Sequence, residues 1–98
     1  MAAYNLTILA RDDIDQEADN IEDDDLAFRW VCDLYDGLEV LGNNPGIGHS
    51  RTDITKHDVL FWSYKRWAII YQKSDPITVI RVVPWSRMTS RFWLGPGW

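Results

Sequence analysis

The chain has 98 residues, 46% of them hydrophobic, and a formal net charge of −5. This places it with one-domain folded proteins of modest core and excludes a disordered acidic tail. No apolar run is long enough to span a bilayer, and the first residues, MAAYNLTILARDD, lack the basic-then-apolar pattern of a leader peptide, so a cytoplasmic protein without membrane contact is expected.

Cys32 stands alone, so no internal disulfide can form. With only His49 and His57 beside it, the chain lacks a zinc ligand set, and neither metal nor cofactor is expected. Cys32 lies among apolar residues and is expected to be buried. The charge is uneven. Residues 1–50 hold twelve Asp/Glu against two Arg, whereas residues 51–98 hold three Asp against eight Lys/Arg. The acidic half would be repelled by nucleic acid, so no direct nucleic-acid partner is expected. That half reads as a solvated helix surface, or as a face that selects a protein partner.

In chain order, YNLTIL (Tyr4–Leu9) reads as a first strand. Ile14, Ala18 and Ile21 then recur at helical spacing, with Asp12 and Asp13 placed to serve the helix start. The run Asp23-Asp24-Asp25 ends this helix and caps the next. LAFRWVCDLYDGLEVL forms a second helix on the stripe Ala27, Val31, Leu34, Leu38 and Leu41, with Trp30 beside it and Gly42 as its stop. The tight acidic turn between the two makes an antiparallel helical hairpin. NNPGIGHSR is a loop.

The period then falls to two. DVLFWSYK and WAIIYQK read as paired antiparallel strands split by Lys65-Arg66, a turn whose cations are expected to be solvated. SDP at 74–76 is a turn, and ITVIRVVPW is a strand ended by Pro84. Arg81 is expected to cross the sheet and pair with a carboxylate of the acidic half. The tail SRMTSRFWLGPGW suggests a turn of helix over the sheet, with GPGW loose unless Trp98 finds a pocket. The fold class is α+β: an N-terminal strand, an antiparallel helical hairpin, and a three-stranded antiparallel sheet packed against the helices, with the first strand pairing beside a later one.

This order resembles the RelE/ParE toxins of type II toxin–antitoxin pairs, across nearly the whole chain. The closer resemblance is to the ParE branch. It rests on Pro45, Gly46 and Gly48 in a Pro-Gly-x-Gly loop, and on Arg51 and Asp53 after it. Phe61 and Trp62 follow on one strand, Trp67, Ile69, Ile70 and Tyr71 on the next, and Ile80, Arg81 and Val82 on the last. The chain departs from the pattern at Pro84, where the family has His, and at Met88.

The resemblance has two implications for function. RelE-type members cut mRNA on the ribosome with lysines and arginines on these strands. Aligning the Tyr-Gln strand ends puts Val59, Phe61 and Ala68 at those positions, and none can carry a charge or a proton. VLFWSYKRWAIIYQ is therefore expected to be mostly core and sheet surface, with an mRNase site possible only if rebuilt from Tyr64, Lys65, Arg66 and Arg87. ParE-type members inhibit DNA gyrase by protein binding, which needs no catalytic set. On that reading the target-binding candidates are Trp85, Arg87, Arg91, Phe92 and Trp93. A cognate antitoxin is the implied partner, giving a hetero-oligomer, and its candidate contacts are Trp30, Tyr35, Trp85, Phe92 and Trp93. A third reading keeps only the antitoxin-binding role.

Overall fold

A computed structural model of the chain describes residues 3–88 together with Leu94 and Gly95. The element order is β1 (Tyr4–Leu6), α1 (Ile8–Asp19), α2 (Asp24–Asn43), β2 (Leu60–Tyr64), β3 (Trp67–Gln72) and β4 (Ile77–Pro84), followed by a 3-10 turn at Trp85–Arg87. The strands form one mixed sheet in the order β1-β4-β3-β2. β2, β3 and β4 are antiparallel as expected, and β1 extends the sheet to four strands by joining β4 in parallel.

The first strand is shorter than its apolar pattern predicts, and Thr7 is the cause. Its hydroxyl accepts from the Ala10 N–H at 3.1 Å, capping α1, and donates to the Ile80 carbonyl at 2.8 Å. The helix therefore starts at Ile8, which is 81% exposed rather than part of a strand face. Asp12 and Asp13 fall beyond the first turn and do not serve the cap. Asp23 does cap α2, accepting from the Leu26 N–H at 3.0 Å. α2 runs through Gly42 to Asn43, and the Asn44 amide then closes it by donating to the Val40 carbonyl at 2.8 Å.

Both helices cover one face of the sheet. Ala10 and Ile14 of α1, and Leu34, Leu38 and Leu41 of α2, pack with Ile69, Tyr71, Ile77, Val79 and Val82. Each such aliphatic side chain stabilises the fold by about 1.5–3 kcal/mol when fully buried. Cys32 is exposed, contrary to expectation. Its neighbours in sequence are apolar, but burial on a helix follows angle, and Cys32 stands two residues from Leu34, on the opposite side.

The other face holds a smaller cluster of Val59, Phe61, Ile70, Ile80 and Leu94, with Ile54, Trp85 and Met88 against it. The alternation along β4 changes phase at a bulge. Ile70 pairs with Arg81 but Tyr71 pairs with Val79, so Ile80 is an extra residue. The bulge lets Val79 and Val82 both face the helices while Ile80 fills the second cluster.

Beyond β1 the outer edge of β4 would be open, and α1 covers it. The Val79 carbonyl accepts from the Thr7 N–H at 3.0 Å, and the Val82 N–H donates to Asp13 at 3.1 Å. Asp13 also takes Arg81 bidentately, Nε at 2.7 Å and Nη2 at 2.9 Å. The expected pairing of Arg81 with the acidic half is thus present, and it doubles as edge protection.

Candidate functional site

The β2–β3 turn lies against α2. Lys65 sits in the left-handed region at φ +55°, and its ammonium bonds to the Asp33 carboxylate. Tyr64 donates from its hydroxyl to the other Asp33 oxygen at 2.8 Å. Lys65 is therefore exposed but paired, not simply a solvated tip cation. The bonds from Lys65 and then Tyr64 hold the Asp33 carboxyl below its ordinary range. Asp33 in turn raises Lys65 and Tyr64, keeping both protonated. A general base has to accept a proton near neutral pH, and this trio favours the opposite states.

Between this turn and the helical hairpin lies a groove of about 510 Å³, lined among others by Glu17, Ile21, Trp30, Lys65, Arg66 and Trp67. Trp30 and Trp67 meet at 5.1 Å, tilted by 56°. Arg87 reaches the same region by donating to Glu17 at 3.0 Å. Of the four residues from which an mRNase site would be rebuilt, Lys65 and Arg66 share the groove, and Arg87 joins them only through Glu17. Tyr64 is held away on Asp33.

On the face behind the helices, Trp85 organises a second cluster. Its indole N–H donates to the Ser63 hydroxyl at 2.9 Å, and its ring stacks on Phe61 at 6.1 Å. The Arg51 guanidinium lies 5.3 Å from the Trp85 ring centre and is held there by a bidentate bond to Asp53 at 2.8 and 2.9 Å. His49 joins the edge of β2, exchanging two backbone bonds with Phe61 at 2.8 and 2.9 Å. These residues surround a hollow of about 340 Å³.

The three positions expected to have lost their cations are core. Val59 is 2% exposed, Phe61 3% and Ala68 0%. The rest of the VLFWSYKRWAIIYQ stretch divides as expected. Ile69, Ile70 and Tyr71 are buried, while Leu60, Trp62, Tyr64 and Trp67 are half-buried. The loop motif has a local reason. The buried Tyr71 hydroxyl donates to the Pro45 carbonyl at 2.6 Å and accepts from the Gly48 N–H at 3.0 Å, and a Cβ on Gly48 would lie 2.5 Å from that oxygen.

Of the antitoxin-contact candidates, Trp30 and Tyr35 are half-buried against the main core, and Trp85 is half-buried in the second cluster. Among the target-binding candidates, Arg87 is exposed and tied to Glu17. Arg91, Phe92 and Trp93 lie outside the described residues, as does Trp98. Sequence reasoning missed Asp33, Glu17 and Ser63, whose partners are 31, 70 and 22 residues away and leave no local signal. It also missed the exposed Phe28 and Leu26 on α2, at 69% and 55%, which a helical wheel would have placed off the buried stripe.

A family model described as "ParE toxin of type II toxin-antitoxin system, parDE" matches residues 4–88. No curated protein matches the chain.

Proposed function

The chain belongs to the ParE toxin family of type II toxin–antitoxin systems, and from that premise we propose that it arrests growth by binding a protein target, DNA gyrase, rather than by cutting RNA. A cognate antitoxin is the partner that this family membership implies. The observation that carries the binding reading is the burial of Val59, Phe61 and Ala68. Side chains in a packed core cannot reach a phosphate, and none of the three could stabilise its charge. On this reading the target-binding residues are Trp85, Arg87, Arg91, Phe92 and Trp93, the last three outside the described residues. Arg87 supports this as an exposed cation on a short turn that directly follows the sheet.

One observation favours a second reading. Lys65 and Arg66 line one groove with Glu17, and Glu17 holds Arg87. These cations would be the nucleus of a rebuilt mRNase site. Two assays on the purified protein decide between the readings: supercoiling by DNA gyrase, and mRNA cleavage in a ribosomal translation mix. Lost supercoiling with intact mRNA is the expected result. Codon-positioned cleavage would overturn it. Neither effect from folded protein would leave a chain that only binds its antitoxin. Changing Arg87 and Arg91 together to Ala is expected to abolish growth arrest, and unaltered arrest would remove the placement of the target surface.

A further inference from the structure

Three cations meet around the groove between the helical hairpin and the β2–β3 turn, and among the described residues one is uncommitted. Lys65 is held by Asp33, and Arg87 by Glu17. Arg66 is exposed, and among the described residues its guanidinium has no hydrogen-bond or ion-pair partner. Its backbone is nevertheless fixed, because the Arg66 carbonyl accepts from the Trp85 N–H at 3.1 Å. A fixed backbone carrying an exposed guanidinium beside Trp30 and Trp67 is pre-organised to meet a carboxylate. Trp and Arg are also the usual anchors of protein interfaces. The apolar wall continues along α2, where Leu26 lies one turn before Trp30 and is 55% exposed.

We infer that the antitoxin fills this groove, placing an apolar side chain against Trp30 and Trp67 and a carboxylate on Arg66. The chemistry of the occupant follows from the groove: an apolar wall takes an apolar group, and an exposed cation takes an acid. The choice of the antitoxin over the target follows from Glu17. That carboxylate lines the groove and also positions Arg87. One ligand seated there would bind the toxin and cover the target-facing Arg87 together, which is what neutralisation requires. The inference rests on family membership and on the role given to Arg87, and it does not depend on gyrase being the target.

The test uses the full chain and the antitoxin encoded with it. Calorimetric titration gives the Kd for wild type, Arg66→Glu, Arg66→Lys and Lys73→Glu, the last at the opposite end of β3. Growth arrest on induction of each toxin, alone and with antitoxin, runs in parallel. Arg66 is exposed, so the fold is expected to survive its replacement, and a melting curve checks this. Arg66→Glu is expected to weaken antitoxin binding about tenfold or more. Arg66→Lys should retain most of the affinity, and Lys73→Glu all of it. An unchanged Kd for Arg66→Glu overturns the inference. An equal loss in Lys73→Glu would mean long-range attraction only, and overturns it too. Lost growth arrest with intact antitoxin binding would give the groove to the target. Failure of the gyrase reading would appear in the supercoiling assay alone.

Discussion

Tyr71 shows how much one atom can organise. Tyr71 is 0% exposed, and its hydroxyl closes the Pro45–Gly48 loop. Burial raises its pKa, so the phenol stays protonated and able to donate. Tyr71→Phe would leave the Pro45 carbonyl and the Gly48 N–H unpaired at a cost of about 2 kcal/mol, measurable as a lower urea midpoint with an unchanged slope. The Pro-Gly-x-Gly pattern was readable from sequence, but its reason was not, because the phenol arrives from 23 residues away. Arg81 teaches the same point from the other side. A pairing with the acidic half could be expected, yet twelve carboxylates were available there, and only the fold selects Asp13. The pair is nearly buried, at 15% and 11% exposure. Asp13→Ala would deprive Arg81 of this partner and strip the Val82 N–H as well, a loss of about 3 kcal/mol. The measurement is chemical denaturation. A change under 1 kcal/mol would show that the edge bond is dispensable.

At the level of elements, the contact between α2 and the β2–β3 turn depends on ionisation. Asp33 has a lowered pKa, so its contribution is present above the ordinary carboxylate value of 3.8 and is lost as pH falls through the lower folded value. Lys65 and Tyr64 have raised values, so theirs are present below 10.5 and 10.0 and are lost as pH rises through the higher folded ones. The stability difference between wild type and Asp33→Asn should therefore be flat through neutrality and shrink in strong acid. It should also weaken with salt, because the Lys65–Asp33 ion pair faces solvent. A difference growing on acidification would contradict the assignment. Gly37 belongs to this contact. A Cβ there would lie 2.9 Å from the Tyr64 ring. Gly37→Ala should destabilise the protein even though alanine favours a helix by about 1 kcal/mol over glycine. The helices themselves were legible, because period 3.6 and the Asp23 cap are local signals. The start of α1 is masked in the sequence because Leu6, Ile8 and Leu9 mimic a strand, although the Thr7 cap on Ala10 is itself local. Cys32 is exposed despite its apolar neighbours, because a run of apolar neighbours is not a helical face.

Across the whole molecule, the charge asymmetry turns out to be partly internal. Asp13, Glu17 and Asp33 of the acidic half pair with Arg81, Arg87 and Lys65 of the basic half. The hairpin thus docks on the sheet through charge as well as through its apolar stripe. The parts of the site that the sequence could supply were residue types, such as unused cations and surplus tryptophans. Their grouping into one groove comes from topology, which brings residues 17, 30 and 66 together. That topology has a temporal side. Among the described residues β1 pairs only with Ile77, Thr78 and Val79 of β4, so the first strand made waits for β4 as its partner. Contacts this distant along the chain are slow to form and cannot be anticipated by a partial one. During translation the N-terminal strand therefore waits, and the Thr7 hydroxyl, whose bond from the Ala10 N–H is local, waits for the Ile80 carbonyl as its acceptor. A toxin built this way acquires its working shape late in its own synthesis, and its emerging chain is not yet the folded product from which the cell must be protected.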